Sequence, residues 1–431
     1  MQGKEEMKLM DPVVIIGGGP AGAACGAYLS MAGIPNLIFD KVNHPRPHVG
    51  ESLVSSTTRV FQDLGFVETM NQAGFVRKYG AAWHSPTGSG TVAIEFREFP
   101  NVGVFQDYSY HVDRAKMDHL LLQHAEKLGS KVHQGIGANR VLFDGDRATG
   151  VEVDVGGQPV TIPASVVVDA TGRNTVLGRQ LRWLKKDELF NQFAVHAWFE
   201  GVDRGPMKTA DDIHIYFLPT QRGWVWQIPI DETITSIGVV AEKQAFKEAK
   251  GDHQRWFDAQ LGAAPDITRA LRNARRVNEI TAEGDYSYGM EHLCGDHFLL
   301  IGDAARFVDP IFSSGVSVAL FSAKIAAERI QAGWEQQDFS EAMFRPYEDR
   351  IRKGTTIWYE FIKLYYKVLP LFTYFIQHKK YRQQLFQLLQ GEVYDREEAP
   401  VLDAMREYVR AVEKNEGHVF HGALDPGISL D

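Results

Sequence analysis

Three glycines near the start of the chain are spaced so that they could bind a dinucleotide. Gly17, Gly19 and Gly22 form a GxGxxG pattern within VVIIGGGPAGAACGAYL. In such a pattern the first glycine allows a tight turn, the second lets backbone amides approach a pyrophosphate, and the third lets a helix pack closely on a strand. Asp40 ends the next apolar run, NLIFD, where a carboxylate can accept ribose hydroxyls. These residues predict a dinucleotide site.

A lone lysine is the second candidate for chemistry. Lys78 lies between Val76 and Tyr79 in the apolar, glycine-bounded segment GFVRKYGAAW. Such a lysine is ordinarily a solvated surface charge. If the segment buries it, however, loss of hydration lowers the pKa of the amine and makes it reactive near neutral pH. The sequence leaves both interpretations open.

Two polar turns in the second half of the chain extend this set. Gly302 and Asp303 follow the apolar run FLLI and precede an apolar helical segment. In that position a carboxylate is better explained by a cofactor than by an ordinary turn. Ser313, Ser314 and Gly315 follow at the start of the helix, where backbone N–H groups suit an anion, although plain loop chemistry is the alternative.

The elements that must position these residues follow from hydrophobic periodicity. Val13–Ile16 predicts a buried strand, and VVVDATG predicts a second strand that enters a similar turn. Helices are predicted over residues 53–64 and over DRAKMDHLLLQHAEKLG, which Arg114 opens and Gly129 ends. Residues 77–112 predict several strands, with PTGSG as a hairpin turn.

Alternating and aromatic residues dominate the middle of the chain. Residues 190–242 predict four strands of an antiparallel sheet. Trp224 and Trp226, in GWVWQIP, fall on one face of such a strand, and a core stripe is the ordinary interpretation of that pattern. A charged helical stretch at 243–276 and a mostly helical C-terminal region follow, with a kink predicted at Pro370.

Composition limits the class of protein. The chain has 431 residues, 44% of them hydrophobic, which predicts a large core in roughly two to three domains. A net charge of −9 argues against a nucleic-acid partner, and two cysteines allow neither a disulfide framework nor a cysteine metal cluster. We find no histidine or carboxylate spacing that suggests a metal. Without an apolar signal core or a membrane span, the sequence predicts a cytoplasmic protein.

The order of the motifs resembles a known class of flavoproteins. GGGPAG, the helix opened by an arginine, VVDATG and LIGDAARFVDP resemble flavoprotein monooxygenases of the para-hydroxybenzoate-hydroxylase type. GWVWQIP resembles the WxWxIP motif of flavin-dependent halogenases, of the type that acts on phenols or pyrroles, often tethered to a carrier protein. The resemblance implies an α/β fold. Its parts are a Rossmann-like FAD-binding domain (1–80, 105–180 and 281–335), an antiparallel-sheet substrate domain (81–104 and 181–280) and a helical C-terminal region (336–431).

The resemblance also implies roles for individual residues. Lys78 falls where these halogenases carry their catalytic lysine, and the tryptophan motif keeps the substrate away from the flavin. The remaining residues are Gly17, Gly19, Pro20, Ala21, Gly22, Asp40, Lys41, Glu51, Ser52, Arg114, Gly302, Asp303 and Pro310 for FAD, Ser314 and Gly315 for the halide, and Trp224, Trp226, Ile228 and Pro229 for the motif.

The activity implied is halogenation of an electron-rich aromatic ring in secondary-metabolite biosynthesis. FAD reduced by a separate flavin reductase reacts with oxygen, and chloride or bromide becomes hypohalous acid. Lys78 then delivers the halogen, either as a chloramine or by hydrogen bonding to the acid. A separate reductase is implied because the chain has one convincing GxGxxG unit. We place no counterpart of the C-terminal glutamate of tryptophan halogenases, which favours a phenol or pyrrole substrate.

Three other interpretations stay open. An FAD-dependent aromatic monooxygenase would hydroxylate or epoxidise its substrate without using Lys78. An FAD-dependent reductase of prenyl chains would need neither halide nor oxygen. An FAD-binding protein without catalysis would hold a partner and lack oxygen reactivity.

Overall fold

The computed structural model describes residues 10–86, 90–101, 103–219, 222–248, 251–284, 287–396 and 399–430. The charged start of the chain, residues 1–9, and the centre of the predicted PTGSG turn, residues 87–89, lie outside the described residues. The strands are β1 (Val13–Ile16), β2 (Asn36–Asp40), β3 (Val76–Lys78), β4 (Gly80–His84), β5 (Thr91–Glu95), β6 (Ser109–His111), β7 (Lys131–Gln134), β8 (Ala138–Asp144), β9 (Arg147–Val155), β10 (Gln158–Pro163), β11 (Val166–Asp169), β12 (Leu184–Lys186), β13 (Gln192–Glu200), β14 (Ile213–Phe217), β15 (Trp224–Pro229), β16 (Ile234–Glu242), β17 (Arg275–Arg276), β18 (Thr281–Gly284), β19 (Tyr288–Met290), β20 (Cys294–Gly295), β21 (Phe298–Leu300) and β22 (Arg306–Phe307). The α-helices are α1 (Pro20–Met31), α2 (Ser55–Asp63), α3 (Val67–Gln72), α4 (Arg114–Leu128), α5 (Val176–Gln180), α6 (Lys243–Glu248), α7 (His253–Gly262), α8 (Pro265–Ala270), α9 (Ser314–Gln336), α10 (Glu341–Lys367), α11 (Leu369–Gln377), α12 (Arg382–Leu389) and α13 (Pro400–Glu413).

A six-stranded sheet carries the glycine turn. Its order is β20-β21-β11-β1-β2-β7, and each neighbouring pair is parallel except β20 with β21. All four residues of β1 are buried, which explains why a parallel central strand has a continuous apolar sequence. Helix α1 packs on both α4 and α9, and this arrangement confirms the predicted Rossmann-like fold.

A larger sheet carries the tryptophan motif. Its order is β17-β13-β16-β15-β14-β4-β5, with β18 also paired to β13. Strands β13 to β16 pair antiparallel in the predicted region, whereas β14 and β4 run parallel. Strands β4 and β5 form the predicted hairpin, in which the Ser85 amide donates to the Gly90 carbonyl at 2.9 Å.

A short antiparallel pair, β3 and β6, holds the segment around Lys78. Lys78 faces Ser109 in this pair, and Val76 faces His111. An isolated bridge between Ser52 and His111 ties the loop after β2 to the same pair. Residues far apart in the sequence therefore meet at Lys78.

The C-terminal helices pack around α9 and α10. Pro370 does not kink a helix, because α10 ends at Lys367 and α11 begins at Leu369. Proline fits the first turn of α11, where its missing N–H has no helical acceptor. The charged stretch at 243–276 forms three short helices, α6 to α8, ahead of β17.

None of the helices in the described part of the chain combines the length and apolar composition of a membrane span. The division of the chain into the three regions named above stays a prediction.

Candidate active site

A cavity of about 780 Å³ lies between the two sheets and brings most of the predicted residues together. Its wall runs from the end of β2, past the glycine turn, to the start of α9 and the tryptophan motif. The predicted residues that line it are Gly17, Gly19, Pro20, Ala21, Asp40, Lys41, Glu51, Ser52, Arg114, Asp303, Pro310, Gly315, Trp224, Trp226 and Ile228. The other predicted residues, Gly22, Lys78, Pro229, Gly302 and Ser314, lie behind this lining.

Two of the glycines outside the lining are required by close packing. A Cβ at Gly22 would lie 1.8 Å from the Gly17 carbonyl oxygen, and one at Gly302 would lie 2.9 Å from the Ala21 side chain. Gly302 also has a φ of +59°, which favours glycine. Gly22 and Gly302 therefore allow the neighbouring parts of the chain to pack closely around the site.

The start of α1 offers a cradle for phosphate groups. Gly19 is the N-cap, no side chain caps the helix, and Pro20 and Ala21 face the cavity. A Cβ at Gly19 would meet only the Arg46 guanidinium, at 3.4 Å, within 4 Å. Free helix amides and an arginine at one end of a cavity fit a pyrophosphate. Sequence reasoning missed Arg46, because a single arginine in the loop HPRPH has no periodic signal.

Asp40 reaches the cavity but already holds the chain around it. Its carboxylate accepts from the amides of Gly18, at 2.8 Å, and Val42, at 3.0 Å, and lies 3.3 Å from the His44 ring. Burial raises the pKa of Asp40, but the hydrogen bonds from His44 and the two amides outweigh it, and the net pKa is lowered. The Asp40 carboxylate is therefore an anion that can accept further hydrogen bonds from hydroxyl groups.

Arg114 opens α4 as predicted and is fixed before any ligand binds. Its guanidinium donates twice to Asp118, at 2.8 and 3.0 Å, and also to the carbonyl of Val49. Burial lowers the pKa of Arg114, but the charge of Asp118 outweighs burial and raises it. A buried, fixed cation therefore stands in the cavity wall.

Asp303 lines the same cavity as this arginine. Burial raises the pKa of the Asp303 carboxyl to about 6, while Arg173 and Arg114 act in the opposite direction. Arg173 and the preceding residues Thr171 and Gly172 also line the cavity. The VVDATG turn is predicted from the sequence, but Arg173, which follows it, is not.

The start of α9, where the sequence predicts an anion site, reaches the cavity wall. Ser313 has a left-handed φ of 57°, and no side chain caps the helix. Gly315 and Pro310 line the cavity, while Ser314 is buried behind them. Uncapped amides at the first turn of a long helix are able to hold a halide.

The tryptophan motif forms one wall of the cavity. Trp224 and Trp226 lie on the same face of β15, with ring centroids 6.0 Å apart. The Trp224 indole N–H donates to the Tyr366 hydroxyl at 3.0 Å, and that of Trp226 donates to the Ser236 hydroxyl at 3.1 Å. Gly238 faces Trp226 in β16, where a Cβ would lie 2.1 Å from its ring. The two rings are thus held in place by both hydrogen bonds and packing.

Lys78 is buried at one end of this wall. Its ammonium group donates to the Ser52 hydroxyl at 3.0 Å and to the Leu53 carbonyl at 3.1 Å, and its side chain is 4% exposed. Removal from water lowers its pKa from 10.5 to about 7, although the negative charge of Asp212 limits the shift. Burial and the charge of Lys78 in turn hold the pKa of His111 well below 6.5. The surface interpretation of this lysine is therefore wrong.

Asp212 and Ser52 connect Lys78 to the cavity. Burial raises the pKa of Asp212 to about 6, against the charge of Lys78 and hydrogen bonds from the amides of Gly80 and Tyr79. Ser52, which accepts from Lys78, itself lines the cavity, as does Ile213 next to Asp212. One side chain, Ser52, therefore separates the Lys78 amine, whose pKa is lowered, from the cavity.

Two family profiles match the chain. The profile described as tryptophan halogenase matches residues 101–393, and that of an NAD(P)-binding Rossmann-like domain matches residues 15–96. The chain is 46% identical to the 1H-pyrrole-2-carbonyl-(peptidyl-carrier protein) chlorinase of Pseudomonas fluorescens, over 96% of both chains. It is 33% identical to the corresponding brominase of Pseudoalteromonas luteoviolacea, over 94% of this chain and 98% of the relative.

A solved structure extends the similarity to three dimensions. The flavin-dependent brominase Bmp2 superposes with a TM-score of 0.85 at 30% sequence identity. The match covers 94% of this chain and all of the brominase. Nearly the whole chain, including the C-terminal helices that the sequence resemblance did not cover, shares this fold.

Proposed function

Because this chain belongs to the tryptophan halogenase family and is a flavin-dependent halogenase, we propose that its substrate is a pyrrole ring. The ring is presented as a pyrrole-2-carbonyl group on a peptidyl carrier protein, and chloride is the halide. Support comes from the 46% identity to a chlorinase of that substrate, over almost the full length of both chains. The product is a chlorinated building block for a secondary metabolite.

FAD, oxygen and a halide are the cofactors of this enzyme class. When bound, reduced FAD would supply two of the four electrons that oxygen takes up, and the halide, which is oxidised, would supply the other two. The long cavity fits a dinucleotide, because it begins at a helix start without a capping side chain and ends at the two tryptophans. We expect the turn at Gly17 to Gly22 and the Arg46 guanidinium to hold the pyrophosphate, and Asp40 with Lys41 to hold the ribose.

The other end of the cavity would hold the reactive part of FAD. Arg114, Asp303 and Pro310 line the cavity, and the resemblance places the loop of Pro310 against the flavin ring. The backbone amides of Ser314 and Gly315 would hold the halide. Glu51 and Ser52 complete this end, on the side toward Lys78.

We propose Lys78 as the catalytic residue. Its buried amine is fixed by Ser52, which itself lines the cavity. Hypohalous acid formed in the cavity would reach this amine and transfer its halogen to the pyrrole carbon. Trp224 and Trp226 stand in the wall and would keep the pyrrole ring away from the flavin, which suppresses hydroxylation.

A separate flavin reductase would supply the reduced FAD. The chain has one glycine-turn unit, which we assign to FAD, and no second one for a nicotinamide is evident in the sequence. Transfer between the two proteins would be by diffusion or a transient contact.

The test is product analysis by mass spectrometry. Purified enzyme is supplied with FAD, a flavin reductase, NADH, oxygen, chloride or bromide, and pyrrole-2-carbonyl on a peptidyl carrier protein. We expect a chlorine mass shift that the Lys78→Ala variant loses by at least about 100-fold, while oxidation of reduced FAD continues.

The matched control is Lys116→Ala, because Lys116 is exposed on α4 and donates to the Ala73 carbonyl. It should halogenate like the wild type. A hydroxylated product that is independent of halide and of Lys78 would contradict the proposal. Halogenation of free phenols but not of the carrier-bound pyrrole would contradict the proposed substrate and leave the halogenase function unchanged.

A further inference from the structure

Lys78 and Asp212 are two buried groups that carry opposite charges when both are ionised. Lys78 is 4% exposed, and Asp212, which directly precedes β14, is 3% exposed. Each charge acts on the other, although no direct ion pair joins the two side chains. A charge that is buried without a close partner is costly, so the presence of both groups needs an explanation.

The register of the strands places the two groups on one side of the sheet. Strands β3 and β4 are separated by one residue, so Lys78 and Gly80 lie two positions apart and point the same way. Strand β14 runs parallel to β4, with Ile213 opposite Ala81, and Asp212 therefore lies beside Gly80. A Cβ at Gly80 would lie 3.2 Å from Asp212 Oδ2, so this glycine leaves room for the carboxyl group.

The backbone that follows Lys78 holds the Asp212 carboxyl group. Burial raises the pKa of Asp212 to about 6, and the charge of Lys78 opposes the rise. The amides of Gly80 and Tyr79 donate to the carboxyl group and also favour its ionised form. The segment that contains the lysine therefore stabilises the anion beside it.

Asp212 supplies the negative charge that acts on Lys78. Burial lowers the pKa of Lys78 to about 7, and the charge of Asp212 opposes this shift. The other contacts of the amine are neutral. They are the Ser52 hydroxyl at 3.0 Å, the Leu53 carbonyl at 3.1 Å and the Phe96 ring, whose centroid is 5.5 Å from Nζ. With these contacts alone, burial would remove the proton from the amine more completely.

Four other titratable groups surround the pair. They are His111 on β6, His214 on β14, Arg204 and Asp211. Burial lowers the pKa of both histidines, so neither is charged at neutral pH. Arg204 is a cation and would oppose a charge on Lys78. Asp211 is exposed, and water screens its charge. None of the four therefore replaces Asp212.

We propose that Asp212 is a positioning residue for Lys78, the counter-ion that allows a buried amine to carry a proton. Asp212 acts through Lys78 and does not touch the pyrrole ring. The inference rests on the proposed catalytic role of Lys78 and deepens it. Both manners of halogen delivery depend on this charge, because a chloramine forms on the neutral amine, whereas the charged amine donates a hydrogen bond to hypohalous acid.

The first test follows the titration of Lys78 in the protein without FAD. All lysines are labelled with carbon-13 at Cε, and the NMR signal of Lys78 is the one that the Lys78→Met variant lacks. The midpoint should lie near pH 7 in the wild type. Asp212→Asn keeps the size of the side chain but removes its charge, so Lys78 should bind a proton at least about threefold more weakly.

The matched control is Asp211→Asn, which makes the same chemical change one residue away. Because Asp211 is exposed, its removal should leave the midpoint of Lys78 at the wild-type pH. A midpoint that Asp212→Asn does not move, or that both variants move equally, would overturn the proposal.

A reciprocal measurement does not depend on how well Asp212→Asn folds. Coupling between two sites acts equally in both directions, so loss of the lysine charge should raise the pKa of Asp212. The infrared band of protonated carboxyl groups should therefore persist to higher pH in Lys78→Met than in the wild type. Lys116→Met should titrate like the wild type. Identical titrations of Lys78→Met and the wild type would refute the coupling.

The pH profile of halogenation connects this coupling to the reaction. The limb of the profile that follows the charge of Lys78 should move to lower pH in Asp212→Asn and stay in place in Asp211→Asn, with the KM for the carrier-bound pyrrole unchanged in both. A wild type without halogenated product would contradict the proposed function, and the two spectroscopic titrations would still measure the coupling. A limb that Asp212→Asn leaves in place would contradict this inference alone.

Discussion

At the scale of single residues, the enzyme keeps an amine in a place that disfavours its charge. Lys78 has two neutral oxygens as hydrogen-bond acceptors, from Ser52 and Leu53. The negative charge of Asp212 also acts on it, but burial raises the pKa of Asp212 itself to about 6. Desolvation of an ammonium group costs more than such contacts return. Burial of this amine therefore lowers the stability of the folded chain.

We expect Lys78→Met to stabilise the protein. Below a pH of about 7 the amine is charged in both the folded and the unfolded chain, and the folded chain bears the full desolvation cost. Between about 7 and 10.5 the folded amine is neutral, and that cost fades as pH rises. The free energy of unfolding should rise by a few kcal/mol in the variant at about pH 6, and by less at about pH 9.

Urea unfolding of both proteins at the two pH values measures this difference. The Lys116→Met variant is the control, and its stability should stay within about 0.5 kcal/mol of the wild type. A Lys78→Met protein that is less stable at about pH 6 than the wild type would show that the amine is a stabilising contact.

At the scale of elements, the glycine turn serves two separate needs. Gly17 has a φ of +108°, and a Cβ there would lie 2.3 Å from the Ala170 carbonyl oxygen of the strand end beside it. Gly22 is required where α1 leaves the turn, because of its contact with the Gly17 carbonyl. Gly19 is different, because a Cβ there would make only an ordinary contact, at 3.4 Å, with the flexible Arg46 side chain, and the residue lines the cavity.

Alanine substitutions should separate these two needs. Gly22→Ala forces α1 away from β1, and we expect a lower melting temperature together with loss of FAD. Gly19→Ala should melt like the wild type but bind FAD at least about tenfold more weakly, or ~1.4 kcal/mol. Thermal unfolding without FAD and titration of flavin fluorescence give the two readouts. Equal stability losses in both variants would disprove the distinction.

At the scale of the whole molecule, the end of the chain fastens the helical region to the large sheet. The Arg222 guanidinium at the start of β15 pairs with the Asp425 carboxylate and, at 3.0 Å, with Glu242. From α10, Lys367 donates to the carbonyls of Asp425 and Ile428, at 3.1 and 2.7 Å. The tail therefore joins the strand of the tryptophan motif to the longest helix.

Breaking this contact should destabilise the protein. Asp425→Ala removes the buried ion-pair partner of Arg222 and leaves the guanidinium with Glu242 and the Leu189 carbonyl, so we expect a loss of about 3 kcal/mol in the free energy of unfolding. The double variant Arg222→Met with Asp425→Leu removes both charges and should be closer to the wild type. Denaturant unfolding of the three proteins gives the comparison. A single variant as stable as the wild type would mean that the tail contributes nothing.

Features that depend only on neighbouring residues could be predicted from the sequence. The glycine turn, the strand before it, the helix that Arg114 opens and the alternating strand of Trp224 and Trp226 all have local signals. Such signals suffice because the periodicity of a helix or strand is a property of a short segment. The order of the motifs, compared with a known family, then gave the cofactor, and family membership confirmed the halogenase prediction.

Only the tertiary structure decided how those segments meet. The hydrogen bond from the Trp198 indole to Glu51 joins residues 147 positions apart, and the one from Lys78 to Ser52 joins residues 26 positions apart. The periodicity of a segment does not show which distant residue that segment will contact. The sequence left Lys78 between a surface charge and a reactive amine, because burial is set by what packs over a segment. The pKa of an amine follows from that packing, and so the lowered pKa of Lys78 is visible only in the folded molecule.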